Sequence, residues 1–193
     1  MSKLYIIAGC NGAGKTTASY TVLPEILECR EFVNADEIAK GLSPFNPSSV
    51  AIEAGRLMLK RIGELLSAGV SFSVETTLST RSYINLIQQA QNQGYSVSLI
   101  YFWLNSPELA IERVKHACCQ WRAMMCLLPL SVVVIVRGWK TFCRIYMPCV
   151  DYWMRLADIS AHRVLLWRTP SVWEMRSISI IKNFFTKIRS YVN

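Results

Sequence analysis

Acidic side chains are nearly missing from the last 78 residues of this 193-residue chain, where Asp151, Asp158 and Glu174 face eleven Lys and Arg. The first 115 residues hold ten of each sign, so the whole net charge of +8 belongs to the C-terminal part. Charged residues are scarce overall at 18%, against 52% hydrophobic, a balance that excludes intrinsic disorder for the chain as a whole. There are only two histidines, and the seven cysteines form no repeated C-x-x-C pair, so a zinc site is not expected. No apolar run reaches the roughly 18 residues a membrane helix needs. The longest, Leu127 to Val136, is broken by Pro129. The chain enters an apolar run and a glycine loop at once, without the flanks of a signal peptide. These absences lead to a cytoplasmic chain of one domain, with no membrane partner and no disulfides.

Over the first 115 residues, apolar runs alternate with helical patterns. Leu4 to Ala8 reads as a buried strand, Lys15 onward as a helix, and Phe32–Val33 as a second short strand. Ser48 to Ala68 carries a helical stripe (Val50, Ala54, Leu57, Met58, Ile62, Leu65, Leu66) closed by Gly69, a residue suited to a left-handed C′ position. Ser71 to Val74 is a third strand, Arg81 to Asn92 a helix stopped at Gly94, and Tyr95 to Leu104 a fourth strand. Ser106-Pro107-Glu108 then opens a helix, with a hydroxyl cap, a first-position proline and an early acid. Beyond it, Val132 to Val136 reads as a strand and Trp139 to Met154 as a helix interrupted at Pro148. Such alternation predicts an α/β fold in three layers, with a mainly parallel sheet between helices.

One motif fixes the class. Gly9-Cys10-Asn11-Gly12-Ala13-Gly14-Lys15-Thr16 has the G-x-x-x-x-G-K-T spacing of a Walker A loop, and it lies between a buried strand and a helix, as the chemistry requires. The glycines let backbone N–H groups turn around phosphate, helped by the positive end of the helix dipole. Gly9, Asn11, Gly12, Ala13, Gly14, Lys15, Thr16 and Thr17 are therefore the expected ATP-binding residues. Lys15 would reach the β- and γ-phosphates, and the Thr16 hydroxyl would bind Mg²⁺. Asp36 follows the second strand, where a carboxylate can take the proton of an attacking hydroxyl or instead cap a helix. Glu75 ends the third strand, a place for an acid that binds Mg²⁺ through water or holds substrate hydroxyls, and Thr76 and Thr77 add donors. Arg113 suits either a phosphate clamp on a mobile lid or a solvated helix pair with a glutamate.

The Walker A loop, Asn34-x-Asp36, Glu75-Thr76-Thr77-Leu78, Leu104-Asn105-Ser106-Pro107-Glu108 and Ile111-Glu112-Arg113-Val114 together resemble the zeta toxin family. The resemblance is to its compact bacterial members described as ABC-type ATPases or kinases. It runs over residues 1 to 116 and resumes from Tyr146-Met147-Pro148 to Trp153. It implies an ATP-binding P-loop kinase in which Asp36 is the base on a sugar hydroxyl, Arg113 belongs to the lid, and Glu75 contacts the substrate. It further implies a small-molecule hydroxyl acceptor, UDP-N-acetylglucosamine in the toxins proper, and a restraining antitoxin partner.

The chain departs from that family after His116. Where a glycine hinge, His-x-Ile/Val-Pro and a second arginine are usual, it has Ala117-Cys118-Cys119-Gln120-Trp121-Arg122 and Ala123-Met124-Met125-Cys126-Leu127. Back-translated and read in a shifted frame, these segments become Arg-Val-Ala-Ser-Gly-Gly and His-Asp-Val-Pro. Trp173 to Phe185, treated likewise, becomes a conventional polar amphipathic segment. The reading is an intact core over 1–116, a frame-altered lid over 117–137, and a C-terminal segment over 138–193 altered again near 160–185. The cysteine, tryptophan and arginine enrichment is then a by-product of the shift. A kinase with impaired activity is the expectation, with a catalytically dead nucleotide-binding relic as the alternative. A nucleic-acid-binding ATPase using the basic tail is disfavoured, because net charge speaks to non-specific binding and not to role.

Overall fold

The computed structural model describes residues 1–103, 141–157 and 164–168. Six strands form one sheet: β1 Lys3–Gly9, β2 Glu31–Val33, β3 Phe72–Thr76, β4 Ser96–Trp103, β5 Tyr152–Ala157 and β6 Val164–Arg168. Their order is β2-β3-β1-β4-β5-β6, parallel throughout except for the antiparallel β5–β6 pair. Helices α1 Lys15–Glu25, α2 Ala35–Leu42, α3 Ala51–Ser67 and α4 Tyr83–Asn92 make the connections. Among the described residues no helix is long and apolar enough to cross a membrane.

The alternation of side chains along β1 builds two cores. Leu4, Ile6 and Ala8 face one side, joined by Val97, Leu99 and Tyr101 of β4 and by Met58, Ile62, Leu65 and Leu66 of α3. Tyr5 and Ile7 face the other, with Ile100, Phe102 and the α1 residues Ala18, Val22 and Leu23. A strand with both faces buried must be apolar along its length, which is why β1 reads as a continuous hydrophobic run. The first core also takes Phe142, Tyr146, Val150 and Trp153 from the C-terminal part of the chain. Phe142 packs edge-on to Trp153 and at a tilt on Tyr101, with ring centroids 5.7 Å and 4.6 Å apart.

The α3 stop follows the expected pattern. Gly69 takes φ +65°, its N–H donates to the Leu66 carbonyl, and the Val70 N–H donates to Leu65. This is a Schellman closure.

Four elements differ from the sequence reading. The first turn of the expected Ser48–Ala68 helix is a 3₁₀ turn, Pro47–Val50, because Pro47 sets the entry, and Leu57 of the stripe is exposed. Helix α2 enters that reading only as the helix that Asp36 would cap, and it starts at Ala35 behind Asn34 instead. The expected helix from Trp139 to Met154 is, where described, a π-helical turn Phe142–Tyr146 followed by β5. Hydrogen bonding to β4, with Leu99 opposite Trp153, outweighs local helical preference there. Strand β6 was not expected at all, and only its antiparallel pairing with β5 defines it. The helix opened at Ser106, Arg113, the altered lid 117–137, the strand Val132–Val136 and most of 160–185 lie outside the described residues.

Candidate active site

The site lies outside the carboxyl ends of β1, β3 and β2, where open parallel sheets hold their ligands. At the end of β1, Gly9 has φ +143°, and a Cβ there would clash with the Phe102 backbone carbonyl of β4. Only glycine lets the loop leave the strand at this point. The loop closes with the Ala13 N–H donating to the Cys10 carbonyl at 3.2 Å. Gly14, left-handed at φ +81°, is the N-cap of α1 and has no side chain to accept the first-turn N–H groups. Those donors, with the helix dipole behind them, suit an anion. Asn11 and Thr17 are exposed, whereas Ala13 and Lys15 are buried.

Strand register then delivers the acid. Ile7 of β1 pairs with Glu75 of β3, and Val33 of β2 pairs with Val74. Glu75 therefore stands beside the start of the loop, with Asn34 next to it. The Thr16 hydroxyl donates to both Glu75 carboxylate oxygens, at 3.1 and 2.9 Å. Lys15 Nζ donates to the Cys10 carbonyl at 3.0 Å and lies 3.5 Å from Glu75 Oε1. Both side chains of this ion pair are over nine-tenths buried, where charges are screened far less than at a surface. Asn34 Nδ2 donates to Glu75 Oε2 at 2.9 Å. Thr16, Lys15 and Asn34 thus converge on one carboxylate.

Asn34 is also the N-cap of α2: its Oδ1 accepts from the Asp36 and Glu37 N–H groups, at 2.8 and 3.4 Å. This corrects the capping alternative for Asp36, which sits in the first turn after the cap. The Asp36 carboxylate is exposed and has no hydrogen-bond or ion-pair partner among the described residues. Its neighbour Glu37 is engaged with Lys40 at 2.6 Å, and that hydrogen bond raises the Lys40 ammonium above its ordinary pKa.

Thr76 and Thr77 begin the turn after β3. The Thr76 hydroxyl accepts from the Leu78 N–H at 3.0 Å, and Thr77 Oγ1 pairs with Ser79 Oγ at 3.0 Å. These bonds hold Leu78 in a left-handed conformation, φ +55°, with its side chain buried. Tyr146 fastens the same turn, donating to the Thr80 carbonyl at 2.7 Å and accepting from the Tyr83 N–H at 3.2 Å. Burial pushes both the Tyr83 and Tyr146 phenols up, so neither ionises near neutrality. The structure therefore gathers Lys15, Thr16 and Glu75 into one cluster, links Asp36 to it through Asn34, and sets Thr76 and Thr77 at its rim.

Residues 2–117 match the zeta toxin family. The chain belongs to that family. A 114-residue stretch is 29% identical to an uncharacterized protein of Haemophilus influenzae, spanning 59% of this chain and 79% of that one. Among solved structures, a chain of the PezAT chromosomal toxin–antitoxin system of Streptococcus pneumoniae is similar at TM-score 0.62 and 13% identity. That alignment covers 100% of this chain and 88% of the other. The AvrRxo1-ORF1:-ORF2 complex with ATP gives TM-score 0.66 and 18% identity, covering 96% of this chain and 64% of that one. This zeta toxin family member has the P-loop kinase fold. Its family match carries β1 to β4 and stops where the sequence changes character, while Phe142, Tyr146, β5 and β6 lie beyond it.

Asn34 is the functional residue that sequence reasoning passed over. A strand-ending asparagine before two acids is an N-cap signature, but an aspartate caps equally well, and the sequence offers Asp36 for the same place.

Proposed function

We propose that this protein transfers the γ-phosphoryl group of ATP to a hydroxyl of a small molecule. The observation that carries the reading is the single cluster made by Lys15, Thr16 and Glu75 at the Walker A loop, with Asp36, unpaired among the described residues, in the first turn of α2 and linked to it through Asn34. Lys15 would neutralise charge on the transferred phosphoryl group, and the first-turn N–H groups of α1 would hold the phosphates. Asp36, exposed and unpaired, can accept the proton of the attacking hydroxyl; Glu75, saturated with donors, is poorly placed to do so. The hydroxyl of Thr16 and the carboxylate of Glu75 form a hard oxygen pair that suits Mg²⁺, which binds few protein ligands alongside substrate phosphates. When bound, that ion would offset negative charge on the phosphates. Glu75 thus serves the metal in this reading, and Thr76 and Thr77 remain for the acceptor.

The family's nucleotide sugar, UDP-N-acetylglucosamine, is the first acceptor to test, and the paired subunits of the PezAT and AvrRxo1 systems make an antitoxin-like protein the partner to seek. Turnover is expected to be low, because residues 117–137 hold no glycine for a hinge and carry Arg122 and Arg137 outside the family's usual lid pattern. Transfer of label from γ-labelled ATP to UDP-N-acetylglucosamine, and to a panel of small alcohols and sugars, tests the reading. Acceptor labelling that is slow but exceeds a no-acceptor control is the expected result, and no labelling of any acceptor, or failure to bind ATP–Mg²⁺, would refute the proposal. Robust labelling of the nucleotide sugar would overturn the damaged-lid argument. The coding DNA around residues 117–137 gives a separate check, since codons incompatible with the shifted reading end it.

A further inference from the structure

We infer that Asn34 is a positioning residue that couples the carboxylate at the P-loop to the proposed base. The inference rests on the kinase reading above and deepens it. Asn34 is 5% exposed at the end of β2, with extended backbone (φ −136°, ψ 120°). Its two amide atoms face chemically opposite partners. One accepts from the backbone N–H groups of Asp36 and Glu37, which can only donate. The other donates to Glu75 Oε2, which as a carboxylate can only accept. These partners fix the orientation of the amide without ambiguity.

A planar carboxamide is the smallest side chain that holds a donor and an acceptor in rigid opposition. Ser or Asp could cap α2 equally well. Neither would supply a fixed N–H donor to Glu75 while its oxygen caps the helix, and Asp would set a second negative charge against it. The placement of Asp36 and the orientation of Glu75 toward Thr16 and Lys15 therefore depend on one residue. Such bonds to a carboxylate are charge-assisted, and in a buried site they fix its rotamer.

The test separates the two bonds in the full-length chain. Asn34→Ser and Asn34→Asp retain a cap, while Asn34→Ala removes both functions. ATP affinity is measured by calorimetry with and without Mg²⁺, and Tm by circular dichroism. For Asn34→Ser we expect a Tm within about 2 °C of wild type and a roughly tenfold smaller gain in ATP affinity from Mg²⁺, the scale of one charge-assisted hydrogen bond. Asn34→Asp should lose more of that gain. Asn34→Ala should lower Tm by roughly 2–4 °C as well. In a Glu75→Gln background, Asn34→Ser should add little further loss, as coupled residues do.

A wild-type Mg²⁺ gain in the Ser and Asp variants would overturn the inference and leave Asn34 a helix cap. Fully additive losses in the Glu75→Gln background would also overturn it. ATP binding that is independent of Mg²⁺ in the wild-type chain would refute the metal reading itself, and this inference with it.

Discussion

Lys15 and Asp36 carry opposite expectations at the residue scale. Lys15 is buried at the start of α1 and paired with Glu75, so its truncation removes the loop's charge and leaves that carboxylate to Thr16 and Asn34. Lys15→Ala should abolish ATP–Mg²⁺ binding while its far-ultraviolet circular dichroism matches wild type; unchanged affinity would mean that the loop does not bind phosphate. Asp36→Asn should behave the other way. Removing a general base costs roughly 10²–10⁴ in rate, while Asp36 lies on α2, off the Walker A loop that holds the phosphates in the proposed reading. Steady-state turnover measured beside ATP affinity checks the pair, and equal losses in both would assign Asp36 to binding. Burial pushes the Cys29 thiol up and keeps it neutral, so it should resist alkylation near pH 7 in the folded chain. Rapid labelling under native conditions would contradict the packing around β2.

Elements are held to one another by few but specific bonds. Tyr146, from the π-helical turn, fastens the loop after β3 to the start of α4 through Thr80 and Tyr83. Tyr146→Phe keeps the ring in the core but leaves the part-buried Thr80 carbonyl and Tyr83 N–H without that partner, at a cost of roughly 0.5–1.5 kcal/mol. Urea unfolding should show the loss as a lower midpoint with an unchanged slope. Gly69 makes a simpler case, because nothing lies within 4 Å of an added Cβ and the strain is conformational only. Gly69→Ala should cost about 1 kcal/mol at this left-handed C′ position.

The molecule as a whole does not end where the family match does. The match stops at residue 117, yet Phe142, Tyr146, Val150 and Trp153 are buried in the larger core and β5 continues the sheet. A chain cut after residue 117 would expose the β4 edge and the apolar face that these side chains cover, a recipe for aggregation. It should fail to give a cooperative thermal transition, whereas the full chain should unfold cooperatively. Phe142→Ala alone should cost about 3–5 kcal/mol, the usual range for a buried aromatic. A stable, monodisperse product from residues 1–117 would show that the C-terminal strands are dispensable.

The sequence by itself determined the Walker A loop, β1 to β4, the helices α1, α3 and α4, and the glycine stop after α3. Each rests on a local rule: glycine spacing, apolar runs, helical period, or a left-handed C′ residue. It also brought Lys15, Thr16, Asp36 and Glu75 forward as chemistry-bearing groups. What it could not contain is which of the two carboxylates is held at the Walker A loop. That choice depends on register: pairing Ile7 with Glu75 and Val33 with Val74 sets Glu75 against Thr16, Lys15 and Asn34, and leaves Asp36 unpaired. Helix α2, the Asn34 cap and the path from the π-helical turn into β5 were likewise decided by tertiary structure. A short helix and an edge-extending strand carry too little local preference to declare themselves, and form because packing of α2 against α3 and hydrogen bonding of β5 to β4 reward them.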